Sequence, residues 1–385
     1  MKRIIKIGMD VHSTNYTLCA LECLFEEDDR ILAELDVYPD YNNIIAFIKR
    51  LAEKYCLDPK SCDITCGYEA GCLGFSLYEQ LKKSGVKCVI LAPTTMSVQK
   101  GRRIKNDARD ALMIAQCLAN NTYHAVHVPT KDDLSVREYI RMRSDHNLAL
   151  KKVKQQINAF CLRHGYKYAK TKWTLTHIQW LRRLDFGDSL LKEVLDEYLG
   201  TYERLSEKLR VFDARIEELA SQERYKEDSG KLQCFSGIRT NIAMSVIVES
   251  GDFKRFKKAS SYASFLGLVP GEHSSGDEIN RVGITKAGNV NLRRLMVEAA
   301  QSICRGSVYH KSKELRTRQS GNDAAVIAYA DKANERLRRR YYHYIRRGMK
   351  RNIAITAVAR ELSCFIWGMM TGNIYQSGAV SAAGM

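Results

Sequence analysis

The chain has 385 residues, with 61 Lys and Arg against 44 Asp and Glu and a formal charge of +17. This length supports two or three domains with cores of their own and excludes a peptide-sized module, and the excess of positive charge points to a polyanion, nucleic acid first, over a neutral small molecule. Aromatic content of 9 % with only 5 prolines excludes a disordered or low-complexity chain and favours helix. The first apolar run is interrupted by Lys6 and stops at Asp10, too short and too charged for a signal peptide, and no stretch reads as approaching a membrane span. The 12 cysteines are scattered without a C-x-x-C pair, so reduced thiols in a cytosol are expected; Cys62, Cys66 and Cys72 fit no usual zinc spacing.

Three strand-like runs open the chain, "RIIKIGMDV", "NYTLCALECLF" and "RILAELDVY", separated by short polar links that suit an antiparallel meander. The helical pattern "NNIIAFIKRLAEKY" follows, then the strand "CDITCGYEA", the helix "GFSLYEQLKKSG" and the strand "VKCVILAP". "IKNDARDALMIAQ" begins the next helix, with Asn106 as a plausible N-cap. The predicted order is βββαβαβα.

Asp107 and Asp110 stand at i and i+3 of that helix, so their side chains leave from one face. Two carboxylates so close in a basic chain suit a hard cation such as magnesium, which prefers oxygen ligands and can assist phosphodiester chemistry. In a βββαβαβα arrangement the middle of the first strand and the end of the fourth lie side by side, where Asp10 of "IGMDVH" and Glu69 of "GYEAGCLG" fall. Four acids are therefore expected to meet at one place. Singly each has an ordinary reading: Asp10 as a turn cap, Glu69 as a surface residue, Asp107 as a first-turn acid favoured by the helix dipole.

From about Pro129 the period changes. Leu191, Leu195, Tyr198, Tyr202, Leu205, Leu209, Phe212, Ile216 and Leu219 alternate spacings of four and three, as a coiled-coil seam does, and Leu150, Val153, Ile157 and Phe160 repeat the pattern earlier. The two helices are expected to form an antiparallel hairpin or to pair with another subunit. Between them "RHGYKYAKTKWTLTHIQWLRR" combines basic residues with interleaved aromatics and no acid. Lys170, Lys172, Trp173 and Trp180 are candidate contacts to phosphates and unpaired bases; the alternative is a solvated loop whose tryptophans pack on the helices.

The last region opens with "CFSGIRTNIAMSVIVESGDFKRF", a helix-turn-helix-like pattern in which Gly237 would let a helix N-terminus approach a phosphate. A glycine-rich stretch follows, and near the end "RLRRRYYHYIRRGMKR" places eight basic residues between Arg336 and Arg351 with no acid among them. Its plainer reading is a solvated amphipathic helix with its tyrosines in the core. The expected domains are residues 1–128, 129–230 and 231–385.

The element order and the set Asp10, Glu69, Asp107 and Asp110 resemble the α/β ribonuclease H-like fold in its Holliday-junction-resolvase, or RuvC-like, form. More closely, "IGMDVH", "YEAGCLG" and "KNDARDA", followed by "FLGLVPGEHSSGDEINRVGITKAGNVNLRR", resemble the DEDD insertion-sequence transposases known as bridge-RNA-guided recombinases. The resemblance implies an N-terminal RuvC-like domain binding Mg2+, a central helical coiled coil and a mainly helical C-terminal transposase domain. It further implies that Ser275, followed by Gly276, attacks a DNA phosphodiester and forms a covalent phosphoserine intermediate, with Ser274 and His273 as neighbours that could share the role. Lys286, Asn289, Arg293 and Arg294 sit where backbone-phosphate contacts are expected. The implied partners are donor and target DNA, a guide RNA encoded by the element and further copies of the chain in a dimer or tetramer, in the cytoplasm at the nucleoid and not at a membrane. "FSGIRTN" departs from the family by lacking the proline and second glycine of its usual "PGIG" hairpin. The rival readings are a magnesium-dependent junction nuclease that uses water without a serine, and an inactive nucleic-acid-binding protein.

Overall fold

The computed structural model describes residues 3–24, 28–56, 61–71, 73–96, 106–272 and 281–374. It divides into two compact units, Met1–Val128 and Pro129–Met385.

The first unit is built on β1 (Arg3–Val11), β2 (Tyr16–Cys23), β3 (Arg30–Val37), α1 (Tyr41–Tyr55), β4 (Cys62–Glu69), α2 (Ser76–Lys83), β5 (Cys88–Leu91) and α3 (Asp107–Ala119). The sheet order is β3-β2-β1-β4-β5. The first three strands are antiparallel, whereas β4 runs parallel to β1 and β5 parallel to β4. This mixed sheet with its helices fits the ribonuclease H-like arrangement.

Strand parity decides what each face carries. Ile5, Ile7 and Met9 of β1 are fully buried and share a cluster with Ile44, Phe47 and Leu51 of α1 and Leu77 and Leu81 of α2. The other face of β1 presents Gly8, and there α3 lies directly on the strand: a Cβ at Gly8 would stand 1.9 Å from the Ala111 carbonyl oxygen and 2.4 Å from the Ala115 nitrogen. No side chain larger than hydrogen fits, so Gly8, Ala111 and Ala115 set the approach of helix to sheet.

Cys56 and Cys62 form a disulfide between the end of α1 and the start of β4. This corrects the expectation that all cysteines are reduced; a spacing of six residues is no recognisable motif, and only the fold brings the two sulfurs together. Cys66 and Cys88 are register partners on β4 and β5, and Cys72 lies outside the described residues.

The second unit begins with two long helices, α4 (Lys131–Arg163) and α6 (Ser189–Ala220), joined through α5 (Leu175–Arg182). They pack antiparallel within the chain. Val136 and Ile140 meet Ile216 and Ala220 at one end, Arg143 holds Asp213 at 2.8 Å in the middle, and Val153, Ile157 and Phe160 meet Leu195 and Leu199 at the other. The heptad seam is thus covered from inside one chain.

The remainder comprises α7 (Glu223–Gln233), α8 (Thr240–Ser250), α9 (Ala259–Phe265), β6 (Pro270–Glu272), β7 (Arg281–Ile284), α10 (Val290–Cys304), α11 (Lys313–Gln319), α12 (Ala324–Arg346) and α13 (Arg351–Met370). One cluster joins Phe235, Ile238 and Val246 to Leu292, Met296 and Ile303 of α10, Ala330 and Leu337 of α12 and Val358, Leu362 and Ile366 of α13. With a mean hydropathy of 1.4 over a membrane-length window, α13 is long and apolar enough by composition to cross a bilayer. That corrects the reading that no stretch approaches a span. Its buried residues Ile355, Val358, Ala359, Leu362, Ile366 and Met369 recur at helical spacing and fill this core.

Candidate metal centre

Asp10 is the next-to-last residue of β1, nearer the strand's end than its middle. By parity it shares the α3 side with Gly8, and so does His12 just beyond the strand. On α3, Asp107 continues the row of Ala111 and Ala115, and Asp110 continues the row of Ile114 and Leu118, the two rows that face the sheet. The same packing that seats α3 on Gly8 therefore carries both aspartates one turn past the buried contact, over the end of β1. Asn106 caps the helix, its side-chain oxygen accepting from the Arg109 N–H at 3.0 Å. First-turn carboxylates are favoured there by the helix dipole.

A carboxylate oxygen of Asp10, one of Asp107 and a ring nitrogen of His12 all lie within 4.8 Å of one another. His12 Nε2 is 3.3 Å from Asp10 Oδ2, and Asn15 Nδ2 donates to Asp107 Oδ2 at 3.2 Å, orienting that carboxylate. Burial pushes the Asp10 carboxyl above the usual carboxylate range; His12 opposes this, and Asp107 and Asp110 add to it by repulsion. Asp110 is thus electrostatically part of the group. Glu69 is the exposed last residue of β4, one step beyond the Met9–Tyr68 pair that aligns β4 with β1, so it stands on the strand beside Asp10 but outside the group of close ligand atoms.

The donor set fits a divalent cation. Asp10 is half-buried while Asp107 and His12 are exposed, and ligand atoms this close can share one ion, which would offset the repulsion between the two carboxylates. The carboxylates suit magnesium or manganese, and the imidazole nitrogen is a softer addition. His12 and Asn15 were not picked out from the sequence; the only signal was the i, i+2 spacing of Asp10 and His12 at a strand end.

The candidate nucleic-acid residues are used differently. Trp173 has φ 66°, in the left-handed region that favours glycine, and is held by its N–H donating to buried His177 Nδ1 at 3.0 Å and by ring contacts to His177 and Tyr202. Trp180 stacks on His177 with centroids 5.8 Å apart and leans on Tyr168 at 5.0 Å. Both tryptophans pack against the apolar cluster of the helix pair, while Lys170 and Lys172 are exposed.

In the C-terminal region, a Cβ at Gly237 would stand 2.1 Å from the Ala299 carbonyl oxygen, so this glycine serves the seating of the α7–α8 turn on α10. Asn289 caps α10, accepting from the Leu292 N–H at 3.0 Å, and donates to Glu249 at 2.8 Å, which in turn grips Arg141 of α4 through bonds of 2.8 and 2.9 Å. Arg293 donates to the Leu266 carbonyl at 3.0 Å, and Arg294 to Ser144 Oγ at 2.8 Å. Lys286 is exposed with φ 56°. Backbone bonds from Thr285 to Val269, Lys286 to Gly267 and Asn289 to Phe265 clasp the two arms of the β6–β7 ribbon. His273, Ser274, Ser275 and Gly276, which join those strands, lie outside the described residues.

Comparison with known proteins agrees with both ends of the chain. Residues 7–164 match a family of transposases, the DEDD transposases of IS110 type, and residues 230–316 match the Transposase IS116/IS110/IS902 family. The transposase for insertion sequence element IS1533 of Leptospira borgpetersenii is 33 % identical over 347 residues, 89 % of this chain and 96 % of that protein. The putative transposase y4qE of Sinorhizobium fredii is 33 % identical over 303 residues, 78 % of this chain and 74 % of its own length. The RuvC structure of Thermus thermophilus aligns with 32 % of this chain and 99 % of its own at 12 % identity and a TM-score of 0.23. By its relatives and its two matched regions, the chain belongs to the DEDD insertion-sequence transposases of the IS110 family.

Proposed function

We propose that this transposase is an RNA-guided recombinase that exchanges insertion-sequence DNA strands through a divalent-metal centre at Asp10, Asp107 and Asp110, with Glu69 completing the set, and through Ser275 as nucleophile. The observation that carries the reading is the convergence of Asp10, His12 and Asp107 within 4.8 Å at the end of β1, where α3 has no packing need for charge. Magnesium is the proposed ion, and it would supply positive charge against the phosphodiester's negative oxygens. Asn15 keeps the Asp107 carboxylate turned toward the group.

In the proposed reaction the Ser275 hydroxyl oxygen attacks phosphorus, an Oγ–P bond forms, one P–O ester bond of the strand breaks, and the serine proton ends on the departing strand's oxygen. The phosphoserine ester conserves the bond energy, so a hydroxyl of a second strand can attack it, rejoin the DNA and restore the serine without an external energy source. Each exchanged strand needs its own serine, which supports a dimer or tetramer. The charge of +17 supports simultaneous handling of donor DNA, target DNA and guide RNA.

The test is a denaturing gel of labelled DNA incubated with each variant and with the RNA that copurifies. Wild type and Ser274→Ala are expected to form a protein–DNA adduct, and Ser275→Ala to bind DNA but form none. Cleavage by Ser275→Ala without adduct would replace this reading with a water-using junction nuclease.

A further inference from the structure

The core beneath α12 ends before the helix does. Val326, Tyr329, Ala330, Ala333 and Leu337 are buried, and Arg338 is 7 % exposed, but none of residues 339–353 is buried. These residues form the last two turns of α12, the turn and the first residues of α13. Tyr341 still packs on the core from one side, but the rest of this hairpin end gives up backbone entropy with little apolar burial in return.

Its charge is one-sided. Arg339, Arg340, Arg346, Arg347, Lys350 and Arg351 fall within it and no acid does. Arg339 pairs with Glu335 and Arg340 with Glu361 at 3.4 Å, whereas Arg346, Arg347, Lys350 and Arg351 make no ion pair among the described residues. Cations at the end of α12 agree with the helix dipole, but Lys350 and Arg351 open α13, whose first turn holds no acid. There the dipole is positive and the placement is unfavourable unless an anion comes to it.

An aromatic platform is built beside this charge. Arg338 Nε donates to the Ile303 carbonyl at 3.2 Å, its Nη1 to those of Ser307 and His310 at 3.0 and 2.9 Å, and Tyr342 Oη donates to the Gly306 carbonyl at 3.2 Å. These bonds hold the segment after α10 against the helix, and that segment presents Tyr309, 83 % exposed. Arg339 reaches the Tyr309 hydroxyl at 3.1 Å with its guanidinium 5.5 Å from the ring centre. A large aromatic ring is placed in solvent by a buried arginine, and the cations without ion pairs begin at Arg346, seven residues and about 10 Å along α12 from Arg339 at the ring; together they match what an unpaired strand requires, a face for a base and charges for the phosphates that follow it. Duplex DNA, with its bases stacked inside, would use the cations and not the ring.

We propose that the projecting end of the α12–α13 hairpin, residues 339–353, together with Tyr309, binds an unpaired nucleic-acid strand. The site is independent of Ser275 and of the metal centre, and its test contains no cleavage step, so failure here leaves the proposed reaction standing.

The experiment is fluorescence anisotropy of the full chain with RNA and DNA single strands of about 20 nucleotides, longer than a typical single-strand site, and with the matching duplex, across a salt series. Tyr309→Ala is expected to weaken single-strand binding about tenfold and leave duplex binding unchanged, and Tyr309→Phe to bind as wild type. Changing Arg346, Arg347, Lys350 and Arg351 together to Gln should flatten the single-strand salt slope by about 3, the loss of four phosphate contacts. Comparing RNA with DNA identifies which strand is preferred. Since none of the altered residues is buried, thermal unfolding serves as the control for folding. An unchanged salt slope, or equal loss of single-strand and duplex binding in Tyr309→Ala, would overturn the proposal.

Discussion

The acid group on β1 and α3 and the basic-aromatic segment before α6 were both read from sequence as sites, yet the fold treats them in opposite ways. Over β1 the packing is done by Gly8, Ala111 and Ala115, so Asp10, Asp107 and Asp110 are not needed to fill space there, and Asp107 and Asp110 repel Asp10. In the other segment Trp173, Trp180 and His177 are themselves the packing, ring against ring on the helix pair. A reactive residue type is informative about function only where another residue already fills the space it would otherwise be needed to fill.

That contrast can be broken first at its strongest point. Gly8→Ala would place a methyl group 1.9 Å from a backbone oxygen of α3. Helix and strand must separate, and a loss of about 3 kcal/mol or more in the stability of the first unit is expected, with loss of activity because the aspartates move with the helix. Denaturant unfolding checks this, and a stability equal to wild type would mean that α3 is not seated by Gly8.

Trp180→Ala should cost about 3 kcal/mol, as truncation of a packed aromatic does, while any nucleic-acid affinity of the folded protein keeps its salt slope. A stable variant with weakened RNA binding would return Trp180 to the list of binding residues.

Asp133, near the start of α4, tests the electrostatic side of the packed region. Burial alone would raise its carboxyl, but hydrogen bonds from Arg224, Tyr225 and Thr130 outweigh it and hold the group below the usual carboxylate range. Since the folded value lies below the unfolded one, this stabilisation is full above the unfolded value of about 4 and is lost as pH falls through the folded value. Asp133→Asn should therefore be less stable than wild type by about 2 kcal/mol at neutral pH, with the gap closing in acid. A gap that stays constant down to low pH would show that packing, and not charge, is lost.

The smallest effect is expected at the exposed lysines. Lys170→Ala with Lys172→Ala should leave stability unchanged and, if these side chains meet phosphates, reduce the salt slope of RNA binding by about 1.4. An unchanged slope assigns the segment to structure alone.

The sheet was legible because alternation along β1, β2 and β3 and the helical periods after them are local signals, and a ribonuclease H-like order follows from their sequence. Asp10 and Asp107 were legible for the same reason, as an acid in a strand and an acid in a first helical turn. His12 was not, because an exposed histidine just past a strand has no periodic signature until α3 is laid over it. Nor was the bond between Cys56 and Cys62, and the sequence left both roles of the tryptophans open, since each depends on partners distant in sequence or on how the intervening loop closes. The seam from Leu191 to Leu219 was visible, but a heptad pattern is the same whether its partner is α4 or another subunit. Likewise eight basic residues near the C-terminus look alike on a buried helix and on one that outruns its core; only the end of burial after Arg338 separates them.

The most direct measurement pairs strand exchange with thermal unfolding for Asp107→Asn, in magnesium and in chelator. Loss of exchange by about 1,000-fold or more is expected with magnesium present, since a ligand of the reacting centre is gone. In chelator the variant should melt close to the wild-type temperature, because the relief of repulsion at Asp10 offsets the lost helix-dipole contribution and no packing is lost. Wild-type exchange by Asp107→Asn, or a melting temperature in chelator well below that of wild type, would contradict the assignment of this group to chemistry and return Asp107 to the structure.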